Sequence, residues 1–143
     1  MTTRAEIIAE ARTWIGTPWQ HQGRLKGIAA DCAGVVIGVG KACGCIPDDG
    51  SGDRTDYGML ADPIRMRTVL DMLFDKIPII DMRPGDIPWM RGGIHPQHIG
   101  VYTERNTLIH AVNNRRVEEL PVDEFRKGKL VGLYRYRGIE EVS

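Results

Sequence analysis

Cysteine is scarce in this sequence: three residues, an odd number that cannot complete a disulfide framework. Cys43 and Cys45 stand two apart, and a bridge at that spacing closes a very tight ring. Reduced thiols in a reducing compartment are therefore expected. Aromatic residues are few, 6% of the chain, although three are tryptophan and two of those, Trp14 and Trp19, lie close together. Neither charge is in excess, with 19 Lys plus Arg against 19 Asp plus Glu. No global field draws the chain to nucleic acid or to a membrane surface, and neither is expected as a partner. The ~18 to 20 unbroken apolar residues that span a bilayer are missing. The opening MTTRAEIIAEARTW alternates charged with apolar residues and lacks a signal peptide's hydrophobic run. Synthesis as a cytosolic protein is expected, with any outward route depending on lysis or a carrier particle.

What is present fits one domain spanning 1–143, long enough to bury a core without staples. Residues 4–15 place Ile7, Ile8, Ala11, Trp14 and Ile15 at helical spacing behind Thr3, a candidate N-cap, and Gly16-Thr17-Pro18 ends the run. A loop over 19–30 leads to Asp31. The segment 32–42 is pulled two ways: Val35, Val36, Ile37 and Val39 favour strand, and Gly34, Gly38 and Gly40 oppose helix. Asp31 as N-cap, with Gly34 and Gly38 four apart on one bare face, tips the reading to helix. An exposed loop over 46–62 and a helix over 63–76 follow. Arg83-Pro84-Gly85-Asp86 then sets proline and glycine where a type II turn wants them. Alternation over 87–90, 98–102, 107–112, 115–120 and 130–136 predicts antiparallel sheet. Helices first and strands later give an α+β class.

Cys32 directly follows the predicted cap, where the positive end of a helix favours a thiolate. A nucleophilic thiolate needs an imidazole partner. His98 and His110 are the candidates. A three-residue hairpin loop at 104–106 pairs Thr103 with Thr107 and sets Gly100 opposite His110. Both histidines then share a face as diagonal neighbours, roughly 7 Å apart. In that register His98 acts as base, His110 orients its far ring nitrogen, and Gly100 leaves the space between them open. Two other readings stay open at this point. Cys32 is an ordinary packed thiol in one. In the other, four of Cys32, Cys43, Cys45, His98 and His110 ligate zinc, although Cys-x-Cys is not the usual knuckle spacing.

The segments ARTWIGTPW (11–19), HQG (21–23), DCAGVV (31–36), PGDI (84–87), HIGVY (98–102) and LIHAV (108–112) run in an order that resembles the NlpC/P60 cysteine peptidases. Within that family they resemble the small branch found in phage tail gene clusters and gene transfer agents, as does the tail RRVEEL with GLYRYRG. The resemblance implies a compact papain-like α+β core with N-terminal helices packed on an antiparallel β-sheet. It implies hydrolysis of amide bonds in peptidoglycan stem peptides, with no cofactor and no metal, and other phage tail proteins as possible partners. By position, Cys32 would be nucleophile, His98 general base and His110 the orienting third residue, with backbone amides near Cys32 forming an oxyanion hole. Trp19 stands where the family has tyrosine, so an indole N–H would replace a phenol beside the substrate. Ala33 stands where a serine is usual, and removes a hydroxyl from the cleft. Asp31 would serve as cap or as partner for a substrate amine. Those two departures leave a second expectation, a tail-assembly protein that keeps the fold with little activity.

Overall fold

A computed structural model describes residues 2–48, 63–92, 95–122 and 130–141, with backbone alone at 63–65, 92 and 95–97. The part of the predicted loop beyond 48 lies outside the described residues. In chain order the elements are β1 (Thr2–Thr3), α1 (Arg4–Arg12), β2 (Arg24–Leu25), β3 (Ala29–Ala30), α2 (Cys32–Ala42), α3 (Pro63–Leu73), β4 (Asp75–Lys76), β5 (Ile87–Gly92), β6 (His95–Ile99), β7 (Val101–Tyr102), β8 (Thr107–Ala111), β9 (Val117–Pro121), β10 (Leu130–Arg135) and β11 (Ile139–Glu140).

Helix α1 opens on a capping box. The Glu6 N–H donates to Thr3 Oγ1 at 3.1 Å, and the Thr3 N–H donates to the Glu6 carboxylate at 3.3 Å. The helix stops three residues before the predicted end, with Thr13 as C-cap and Gly16 left-handed at φ +93°. Ile15 therefore falls off the buried face and is 44% exposed, whereas Trp14 stays in the core. Helix α3 also ends early, at Leu73 rather than 76. Arg137 gathers the carbonyls of Asp71, Met72 and Phe74 at 3.3, 3.0 and 3.2 Å, and Asp75–Lys76 leave to pair with β10.

Segment 32–42 is helical, and its glycines show why strand propensity loses. A Cβ on Gly34 would lie 2.1 Å from the Gly23 carbonyl oxygen, and one on Gly38 would lie 2.3 Å from the Trp14 ring. The bare stripe lets α2 press against the preceding loop and α1. Its other faces carry Val35, Val36, Ile37 and Val39 into a core shared with Ile87, Ile99, Ile109, Tyr134 and Tyr136.

Two antiparallel sheets cover this helix, in the orders β4-β10-β5-β6 and β7-β8-β9. The run expected as one strand over 98–102 divides at Gly100, passing from the first sheet to the second. A Cβ there would approach the Ile109 oxygen to 2.6 Å and His110 Cβ to 3.0 Å, so only glycine lets the chain cross so closely. Across the hairpin Val101 pairs with Ile109 and Tyr102 with Leu108, the predicted register, with Asn106 left-handed at φ +57°. The stretch expected as loop over 19–30 contains the short β2–β3 hairpin, turned by Gly27 at φ +79°. The chain ends meet as well, β1 lying parallel to β11.

Two ionic anchors hold the strands in place. Asp86, fully buried after the Pro84-Gly85 turn, accepts from Arg4 at 2.9 Å and from Arg135 at 2.8 and 2.9 Å. Arg12 of α1 reaches Glu119 on β9 at 3.1 Å and Glu104 in the hairpin loop at 2.8 Å. It thereby pins to α1 the hairpin that carries His110.

Candidate functional site

The joint between the two sheets brings the predicted histidines together. His98 Nε2 is hydrogen bonded to His110 Nδ1, the rings standing edge to face with centroids 4.5 Å apart and planes at 87°. They come from β6 and β8, with Gly100 between His98 and the hairpin and directly opposite His110. A bond at the Nε2 edge of His98 leaves Nδ1 as the atom available for proton transfer. His110 is 3% exposed and His98 is half-buried, so the orienting ring is the one held more deeply.

Cys32 begins α2 and is half-buried. Backbone hydrogen bonds from Ile99 and Ala33 reach its sulfur, so the thiol sits against β6 beside the residue that follows His98. Two surroundings of the sulfur oppose the expected thiolate. Burial first, and the Asp31 carboxylate second, push the thiol up to about 12, outweighing the two backbone bonds and the Arg24 guanidinium. Burial likewise lowers His98 to about 4, and burial together with the neighbouring His98 lowers His110 to about 3. At neutral pH the site therefore holds a neutral thiol and two neutral imidazoles. The helix terminus favours the anion, but desolvation is larger.

Asp31 is 5% exposed and caps α2, accepting from Gly34 N–H at 2.7 Å. Its carboxylate also accepts from Gln22 N–H at 2.8 Å and from Arg24 at 3.0 Å. These bonds tie the 20–24 loop to the start of the cysteine helix, which is the cap role. Gln22 takes φ +63° to make its bond. Arg24 was not among the residues singled out from sequence. A guanidinium eight positions before the cysteine carries no local signal, and only the β2–β3 hairpin turns it back to Asp31.

Trp19 is half-buried, its backbone bridged to Ala30 and donating to the Arg115 carbonyl at 3.1 Å. It therefore borders the segment that leads into Cys32. Ala33 is 8% exposed and belongs to the core, not to an open cleft wall. Cys43 and Cys45 lie past the far end of α2, eleven and thirteen residues from Cys32. At ~1.5 Å per residue that is roughly 16 Å or more, too far for a shared zinc ion. Among the described residues no group of three or more His, Cys, Asp or Glu side chains is placed to hold a metal.

The comparisons with known proteins point one way. A family model described as the NlpC/P60 family matches residues 16–135. The probable endopeptidase NlpC of Escherichia coli (strain K12) is 24% identical over 125 residues, covering 86% of this chain and 71% of that protein. The crystal structure of the NlpC/p60 domain of the peptidoglycan hydrolase SagA superposes with a TM-score of 0.64 at 21% identity, over 93% of this chain and 98% of that one. RipD of Mycobacterium tuberculosis, described as a non-catalytic NlpC/p60 domain protein adapted to peptidoglycan binding, superposes with a TM-score of 0.60 at 18% identity, over 94% and 98%. The α+β architecture, with helices set on antiparallel sheets, is that of these domains.

Proposed function

From the premise that this chain belongs to the NlpC/P60 family, we propose that it is a cysteine peptidase cleaving amide bonds in peptidoglycan stem peptides. The observation that carries the reading is the His98–His110 bond at the sheet joint, with Cys32 against the same strand. Cys32 is the nucleophile, His98 the general base and His110 the residue that orients it.

The hydrogen-bond pattern sets the proton path. For His98 to act as base, its Nε2–H donates to His110 Nδ1 and its Nδ1 lone pair faces the thiol. As Cys32 Sγ attacks the amide carbonyl, its proton passes to His98 Nδ1. The imidazolium keeps its Nε2–H bond to His110, so the second ring holds the first in place through the charge change. His98 then protonates the departing amine, leaving a thioester on Cys32. Water then attacks the thioester carbonyl as it gives a proton to His98; the C–S bond breaks to release the acid, and His98 returns the proton to Cys32 Sγ. Burial disfavours both the thiolate and the imidazolium, so the imidazole must take the proton as the sulfur attacks. Backbone N–H groups around Cys32, with the Trp19 indole beside them, are the proposed donors to the developing oxyanion.

We further propose, from the resemblance of its motifs and of the tail RRVEEL and GLYRYRG, that the protein is of the phage tail or gene-transfer-agent type. It would then be made in the bacterial cytoplasm and act in a virion tail or at the cell wall, alongside other tail proteins. A second reading, a tail-assembly protein of the same fold without turnover, is favoured by the Trp19 departure and by RipD, a protein of this fold described as non-catalytic. Purified protein incubated with cell-wall sacculi separates the two. Stem-peptide fragments appear by mass spectrometry with wild type and vanish with Cys32→Ala if the enzyme reading holds. No release, or equal release by both proteins, overturns it.

A further inference from the structure

The two cysteines that the proposed chemistry does not use are arranged for chemistry of their own. Helix α2 ends in a Schellman turn: the Gly44 N–H donates to the Lys41 carbonyl at 3.2 Å and the Cys45 N–H to the Gly40 carbonyl at 2.7 Å. Gly44 is the left-handed residue, at φ +79°. A left-handed residue turns the chain between its two neighbours, so Cys43 and Cys45 flank a tight turn rather than an extended segment, and a bridge requires Cα atoms ~4.4 to 6.8 Å apart. The spacing that argues against a Cys43–Cys45 bridge therefore falls across a turn, which shortens the span the ring must close. Both cysteines are half-buried and pack against the core cluster to which Tyr136 belongs.

Their surroundings differ. Cys43 lines an open cleft of about 650 Å³, together with Thr2, Glu6, Glu10, Thr13 and Gly44, and its thiol faces the Glu6 carbonyl at 3.9 Å. Cys45 is not part of that lining. We propose that Cys43 and Cys45 are a reversible dithiol pair, in which Cys43 attacks a small disulfide from the cleft and Cys45 resolves the adduct. With oxidised glutathione, Cys43 Sγ displaces one glutathione thiolate and forms a mixed disulfide. Cys45 Sγ then attacks Cys43 Sγ and displaces the second. Two protons and two electrons leave the pair, and two reduced glutathiones form. Burial raises both thiols, Cys45 to about 11, so the exchange quickens as pH rises.

The test uses the full chain carrying Cys32→Ala, so that only this pair reacts, in glutathione redox buffers with intact-mass readout. The pair should lose the mass of two hydrogens and keep no glutathione. Adding Cys45→Ser should trap one glutathione on Cys43, whereas adding Cys43→Ser should leave Cys45 modified at least ~10-fold more slowly. The bridge should also form at least ~10-fold more favourably in the folded chain than in urea, equivalent to about 30 mV for a two-electron couple. Retained glutathione on the intact pair overturns the proposal, as does equal reactivity of the two single thiols. So does a bridge no more stable folded than unfolded, a comparison that needs no second variant.

Discussion

His98 Nε2 is bonded to His110 Nδ1 across the junction of two sheets, and His110 is the more deeply buried partner. A buried ring cannot itself touch substrate easily, so its contribution runs through His98. Replacing His110 by alanine should lower kcat on the order of 10²-fold and leave KM nearly unchanged. His110→Asn should retain more activity, because its amide oxygen can accept the Nε2–H of His98. Steady-state kinetics on a defined stem peptide checks both, and a KM effect with unchanged kcat would contradict an orienting role.

The neutral resting state has a signature in alkylation. With the Cys32 thiol pushed up to about 12, iodoacetamide labelling at pH 7 should be slower than for a free cysteine and should climb throughout the alkaline range. A plateau reached below pH ~8.5 would show instead a stabilised thiolate.

Burial of the histidines also links stability to pH. Their folded values, about 4 and about 3, lie below the unfolded value near 6.5. Between those limits the unfolded chain binds more protons, so stability is intact above pH ~6.5 and is lost as pH falls toward 4. Thermal melts should show Tm declining over that window. His98→Gln should flatten the decline, and identical slopes in wild type and variant would rule out the histidines as its source.

How much of this was legible in sequence follows from how local each signal is. The Thr3 and Asp31 caps, the hairpin register from Thr103 to Thr107 and the turn at Gly85 are set by a few adjacent residues, and each was readable. The same register put His98 and His110 on one face. What escaped depends on distant partners. Arg137 ends α3 from the far end of the chain, Arg24 reaches Asp31 through a hairpin, and Asp86 gathers Arg4 and Arg135 into a buried cluster. The burial that opposes a Cys32 thiolate is equally non-local. The helix end is visible in DCAGVV, but desolvation by β6 and the carboxylate's weight are not.

The glycines offer a way to separate packing from geometry. Gly38→Ala drives a methyl into the Trp14 ring and should cost about 1 to 3 kcal/mol. Gly100→Ala meets the Ile109 carbonyl and His110 Cβ at the sheet joint, so it should cost activity beyond what its stability loss explains. Urea unfolding alongside kinetics decides this: equal specific activity of folded Gly100→Ala and wild type would show that the joint tolerates displacement.

Asp86 provides the strongest test of the scaffold. Its carboxylate is fully buried and shared by Arg4 and Arg135, which tie the start of α1 and the end of β10 to the turn before β5. Removing the buried carboxylate leaves Arg135 only the Asp81 carbonyl and Arg4 only Glu141 and the Pro84 carbonyl, a loss of up to about 3 to 5 kcal/mol. Asp86→Ala should therefore lower the urea midpoint sharply. Asp86→Asn keeps the shape but loses the charge, and should fall between. The cluster lies at the opposite end of β5 from the Met90–His98 pairing, so whatever Asp86→Asn protein stays folded should keep near-normal kcat. A large kcat loss in folded Asp86→Asn protein, or a stability loss under ~1 kcal/mol for Asp86→Ala, would show that the anchor does something other than hold the strands.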